Sequence, residues 1–454
     1  LEVAVSGLSE AARRALEATL GAGASEAEAY AVRDSGREVR AHGGEVESLT
    51  AATRTGVGVR AWIDHRVGYA YGTDLSAAGV AEIATRAAEA ARIADPDQFA
   101  APPQPDPPEP LEGLGDPSVG AWSAARVAEL ALTVERTALA ADERVAGVEQ
   151  AVYADSAEQV AIASSAGVAG EYESSSCFAY LQALAEGEGA RETGLGFGLA
   201  RGPAGLDPEA IGAEGAGRAL AMIGASKPAS RACPVVLDPT VAASFAGLIG
   251  NALGAGAVQR GRSPFGERLG EELASDAFVL HDDGRDPAGP NSAPFDAEGV
   301  PRRRTALIEG GRLRSFLYDT YTANRGGERS TGNASRHGYR SLPTVATSNL
   351  VVGSGTASEA ELLAAAGDGV YVTDVAGLHS GVNPVTGVFS VGASGRAIRG
   401  GELAEPVREF TIAGELVAML GAVRAAGAEA RWVPFGGSVK TPPLLVAELA
   451  ISGS

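Results

Sequence analysis

The sequence predicts an α+β protein: an N-terminal α/β domain with a sheet and long helices, then a C-terminal β-rich domain with few helices. Three observations carry this expectation. The chain has 454 residues, more than one hydrophobic core usually organises. Helical and strand-like periodicities alternate through its first half. From Arg262 onward it is rich in loop residues, with short strand-like runs between them. Lys227 to Cys233 reads as the junction, giving domains 1–226 and 227–454.

Each element follows from its pattern. Leu8, Ala12, Leu16 and Leu20 recur every fourth residue, with Ser9 as a cap, so 8–20 reads as a helix. Thr55, Val57, Val59, Ala61 and Ile63 alternate with Gly56, Gly58, Arg60 and Trp62, the period of a half-buried strand. Asp64-His65-Arg66 turns the chain, and Val67 to Tyr71 returns as a hairpin arm. A helix opens at Asp74, with Val80, Ile83, Ala84, Ala87 and Ala91 on one face. Residues 95–117 form an extended loop, because six prolines fall between Ala101 and Pro110. Ser123 to Ala141 is a second long helix, and 147–202 is strand-like, with Cys177, Ala179, Leu181 and Ala183 alternating. Asp207-Pro208-Glu209 starts a helix that runs to about Gly224.

In the second half, Pro234 to Leu237 reads as a buried strand, and Asp238-Pro239 opens a helix to about Leu253. Short strands are expected at Thr305–Ile308, Leu313–Leu317 and Val370–Val375, and helices at Ser358–Ala366 and Val407–Val423.

The net charge of −20 argues against nucleic-acid binding, which draws on Lys and Arg to displace counterions. Only Lys227 and Lys440 are lysines among 37 basic residues, an arginine excess that reads as coding bias. Two cysteines, Cys177 and Cys233, make no disulfide framework. Leu1 to Arg14 is polar and has no signal-peptide core, and no apolar run is long enough for a membrane span. A cytoplasmic protein with no membrane or nucleic-acid partner is expected.

Chemistry-bearing motifs are scarce. The five histidines (His42, His65, His281, His337, His379) are at least 23 positions apart, so no helical His pair exists to hold zinc. There is no G-x-S-x-G elbow, Cys-x-x-Cys pair or phosphate-binding loop. No catalytic residue and no metal ligand is assigned. What remains are three polar stretches in the second half: Asp319–Arg325, Ser330–His337 and Gly377–Ser390. Loops rich in Gly, Asn, Ser and Thr suit the wall of a cleft that holds an extended peptide by its backbone. The same residues also brace turns, and composition leaves both readings open. The substrate-binding candidates are Tyr321, Ser330, Thr331, Asn333, Arg336, His379, Ser380, Asn383 and Thr386.

The stretches GLHSGVNPVTGVFSVGASG (Gly377–Gly395), LYDTYTANRGGERSTGNASR (Leu317–Arg336) and SPFGERLGEEL (Ser263–Leu273) resemble the TldD/PmbA family, and its TldE (PmbA) branch in particular. The Thr55–Tyr71 hairpin also fits, so the resemblance spans nearly the whole chain. It implies a heterodimeric metallopeptidase acting on small or unfolded peptides. In that family the TldD-type subunit carries an H-E-x-x-x-H helix and a later Cys that hold the metal. The corresponding helix here includes Ser244 to Ala252 and has neither His nor Glu, and Phe435-Gly-Gly-Ser-Val439 has no thiol. The resemblance thus implies a subunit with no cofactor of its own, not catalytic alone, beside a zinc-bearing TldD-type partner, with homodimers possible when that partner is missing. Two other functions stay open: an independent peptide-binding or scaffold protein, and a stand-alone hydrolase of specialised metabolism.

Overall fold

A computed structural model describes residues 2–187, 189–435 and 437–454. The first half is one antiparallel six-stranded sheet, made of β1 (Glu26–His42), β2 (Glu45–Ile63), β3 (Arg66–Gly72), β4 (Val145–Ser164), β5 (Ala169–Gly187) and β6 (Ala190–Ala200). Their order is β3-β2-β1-β4-β5-β6. The expected hairpin turn is present: Asp64 and His65 both have positive φ, 49° and 60°, the geometry of a two-residue turn that matches strand twist.

Four helices pack on the sheet: α1 (Glu2–Gly21), α2 (Ala77–Ile93), α3 (Ala124–Ala140) and α4 (Pro208–Leu220). Their starts are capped by side chains. Ser123 accepts from Arg126 N, and Asp207 from Ala210 N; α2 is capped by Ser76, two residues beyond the expected Asp74. One cluster joins Leu8, Ala12 and Ile83 to Ala29, Ala31, Val57 and Val59. A second joins Val127, Val134 and Ile211 to Tyr153, Cys177 and Leu181. Small residues let helix and sheet approach closely: a Cβ on Gly194 of β6 would run into the α4 backbone at Gly215 and Ala219. Residues 94–122 form neither helix nor strand.

The other face of this sheet meets the second half. Tyr30, Val32, Val160 and Ile162 pack against Phe295, Ala297, Ala334 and Tyr339. The second half is built on two further sheets. In one, β7 (Arg231–Leu237) lies between Gly369–Ala376 and Leu444–Ser452. Gly369–Ala376 pairs Val388–Arg399, which pairs Glu402–Glu415, and that strand returns to Leu444–Ser452. The sheet therefore closes on itself as a small barrel. The other sheet runs Arg312–Leu313, Arg304–Glu309, Leu280–Asp283, Leu350–Val352, Val439–Thr441, Arg431–Val433. Helix α5 (Pro239–Ala252) follows β7, N-capped by Asp238.

Two expectations are corrected. Val407–Val423 is not one helix: Glu402–Glu415 is a strand and only Leu416–Gly421 is helical. Glu409 has φ 54°, and the pairing register shifts there, from Ala393↔Phe410 to Gly395↔Val407. This bulge sets buried Val407 and Phe410 three apart, which mimics a helical repeat. Of the expected strand Leu313–Leu317 only Leu313 lies in a sheet, as the second residue of Arg312–Leu313, while Leu317 makes an isolated bridge to Gly254. Among the described residues no helix is long and apolar enough to cross a membrane.

Candidate functional site

The 319–336 segment folds inward. Asp319 caps the helix Thr320–Gly326 in a reciprocal capping box with Thr322. Tyr321, 38% exposed, donates its hydroxyl to Asp97 at 3.0 Å, and Asn324 donates to Phe99 O. These contacts tie the proline-rich loop to the second half. Ser330 donates to Tyr318 O, and Thr331 to Asn333 Oδ1 at 2.7 Å. Asn333, 2% exposed, donates to Asp282 Oδ2 at 2.7 Å and Ala346 O at 3.1 Å. Nearby, Asp296 accepts from the N–H groups of Glu298, Val300 and Ala334. Burial, and then the charge of Glu298, push its carboxyl up to about 7.

Arg336 extends this bracing across the molecule. Its side chain is fully buried and ion-paired with Glu28 of β1; its Nε donates to Ala297 O at 3.0 Å. Glu28 sits opposite Arg60 of β2 and pairs with it, and Arg60 reaches Glu298 at 2.9 Å. Glu298 in turn accepts from Thr320 N. Burial works to raise the pKa of Glu28, but Arg336 and Arg60 overcome it and hold the carboxyl below its usual range. Asn333 and Arg336 thus bond to partners inside this chain, Asn333 within the second half and Arg336 across to β1 of the first. Reading the sequence alone missed Glu28, Arg60 and Glu298. The available signal was a charge within a strand's apolar run, as in Ala27-Glu28-Ala29 and Val59-Arg60-Ala61.

The 377–390 segment is different. Gly377, φ 80°, opens a single helical turn, Leu378–Gly381. His379, Ser380, Asn383 and Thr386 are all exposed. Ser380 donates to Gly377 O. Asn383 Oδ1 accepts from Val385 N and Thr386 N at 2.9 and 3.1 Å, a local turn that holds the loop's shape. Thr386 Oγ1 accepts from Val388 N at 3.4 Å. Phe389 anchors the loop from below, its ring 5.1 Å from that of Phe245 on α5. The structure therefore sets this loop beside α5. No hydrogen bond among the described residues joins it to 330–336.

Helix α5 buries Val241, Phe245, Ala246 and Ile249. Among the described residues no three His, Cys, Asp or Glu side chains come together as a metal-holding group; Gly436, in the segment compared with the family's thiol position, lies outside them. Both thiols are buried. Burial, then Asp155, pushes Cys177 up to about 12, and burial also raises Cys233, so neither is a ready thiolate.

Three consecutive domain patterns match this chain: PmbA/TldA metallopeptidase domain 1 over residues 27–91, the central domain over 117–223, and the C-terminal domain over 230–453. The chain belongs to the PmbA/TldD metallopeptidase family. Its type within the family is PmbA/TldE. It is 29% identical to metalloprotease PmbA of Escherichia coli O157:H7, across 98% of this chain and 96% of that protein. The PmbA homologue of Haemophilus influenzae is 28% identical over the same shares. A Thermotoga maritima structure described as a modulator of a DNA gyrase superposes with a TM-score of 0.88 at 26% identity, covering 97% of this chain and 99% of that one. TldE from Thermococcus kodakarensis shares the fold, with a TM-score of 0.89 at 23% identity over 97% and 99%.

Proposed function

We propose that this chain is the metal-free subunit of a two-subunit cytoplasmic TldD/TldE-type metallopeptidase that cleaves small or unfolded peptides. A TldD-type partner supplies the zinc and the catalytic groups. This subunit completes the cleft with its 377–390 loop, where exposed Asn383 and its neighbours offer donors and acceptors to a peptide backbone. Tyr321, Ser330 and Thr331 stand further back as supports. One observation carries the reading. The helix that corresponds to the family's metal helix is filled with apolar side chains that pack inward, Phe245 against Phe389, and a polar, exposed loop stands on that packing. The interface implied is large, because it must complete an active site; alone, the chain pairs with itself.

The test is reconstitution. The purified chain with a TldD-type protein should form a stable complex that cleaves peptides and stops when a chelator is added. Elemental analysis of the chain alone should find well under one zinc per chain. Hydrolysis by the chain alone that survives the chelator would overturn the proposal, as would a chain that never pairs.

A further inference from the structure

Between the two halves lies a cavity of about 220 Å³, whereas one water needs only roughly 10–15 Å³ of such space. Strands β1, β4 and β5 contribute Tyr30, Glu158 and Tyr172, and the second half contributes Arg302 and Arg336. Two opposite charges line this space with no hydrogen bond or ion pair from either side chain to another described residue, although Arg302 also acts through space on Asp282 and Asp296. Arg302 is only partly exposed, and its Nε is buried without a hydrogen-bond partner among the described residues. Glu158 is also partly buried; burial and the neighbouring charge of Asp34 raise its pKa, while Arg302 lowers it. The two are therefore near enough to attract, yet no ion pair or hydrogen bond joins them among the described residues. Arg336, committed to Glu28, likewise keeps Nη1 unpartnered.

Desolvated charges left unpaired are costly. A lone anion placed here would satisfy Arg302 and be repelled by Glu158. A lone cation would meet the reverse. A small molecule carrying both charges satisfies both walls. We propose that this cavity binds a zwitterionic α-amino acid, with its carboxylate on Arg302 and its ammonium on Glu158. Tyr30 and Tyr172 line the same space, so the proposed ligand is one with a small side chain. The Tyr30 face is itself stacked under the Arg336 guanidinium, 4.7 Å away, which holds that wall in place.

The inference does not rest on the peptidase reading, and its test uses the full chain without a partner. Calorimetric titration with L-alanine should show binding. Propionate, which lacks the ammonium, and L-alaninamide, which lacks the carboxylate, should each bind at least about ten-fold more weakly, about 1.4 kcal/mol. Arg302→Gln and Glu158→Gln should each weaken alanine by at least as much, with the melting temperature kept as the check on folding. They lie in different halves of the chain, so each serves if the other fails to fold. No heat from L-alanine at concentrations on the order of 10 mM would overturn the proposal. Equal binding of alanine and propionate, or a folded variant that binds alanine like the parent, would do the same.

Discussion

Arg336 and Glu28 are hydrogen-bonded although 308 positions separate them in sequence. The bond fastens the second half of the chain to an interior strand of the first sheet, in a place sealed from water.

Removing Arg336 takes away one of the two arginines that neutralise Glu28 and leaves Arg60 as the other. Arg336→Ala should lower unfolding free energy by about 1.5–3 kcal/mol, read from urea or guanidinium transitions. Combining it with Glu28→Gln should cost clearly less than the two single losses added together. A single-variant loss under about 1 kcal/mol would show that water reaches and screens the network.

Asp296 makes stability depend on pH. Its folded pKa, about 7, lies above the ordinary 3.8. The native state therefore holds this proton more tightly than the unfolded chain does. That contribution is complete below pH 3.8 and is lost as pH rises through about 7. Asp282 and Asp319, also raised by burial, act in the same direction, whereas Glu28, which is lowered, weakens only at acid pH. Asp296→Asn should flatten the decline between about pH 4 and 7. An unchanged slope would remove Asp296 from the account.

Glu409 occupies left-handed backbone at φ 54°, a region that costs a non-glycine residue about 1–2 kcal/mol. Its salt bridge with Lys227 is exposed on both sides and adds little. Glu409→Gly should raise stability by up to about 1 kcal/mol, and Glu409→Val should lower it. Stabilisation by valine would contradict the bulge.

Asn383→Ala separates bracing from binding. Losing hydrogen bonds of this kind is worth roughly 0.5–1.5 kcal/mol. If the loop edges the cleft, peptide cleavage by the reconstituted pair should drop several-fold while pairing and melting temperature hold. A variant whose activity falls only in step with its stability would make the loop a turn and nothing more.

Local chemistry made much of the fold legible. Ser123, Asp207 and Asp238 announced their helices because a cap acts within three residues, and the period-two run ending at Ile63 announced β2. The Glu402–Glu415 strand was hidden because one left-handed residue at Glu409 broke its period. The candidate site was harder to read. Asn333 and Asn383 sit in similar polar stretches, yet one is buried against Asp282 and the other exposed. The difference lies in long-range partners, Glu28 with Arg336 and Asp282 with Asn333, which no local window contains.

The closed sheet also constrains how the chain is made. β7 takes Leu444–Ser452 on one side and Gly369–Ala376 on the other, so its neighbours leave the ribosome long after it does. Until Leu444–Ser452 emerges, the ring stays open and exposes unpaired backbone along β7 and Glu402–Glu415. Pairing over such sequence distances is slow, and open strand edges invite association with other chains. The first sheet, drawn from Glu26 to Ala200 alone, can order while the rest is still being synthesised. Folding in the cell should then proceed in two stages, with a vulnerable interval between them during which a nascent-chain chaperone has the most to protect.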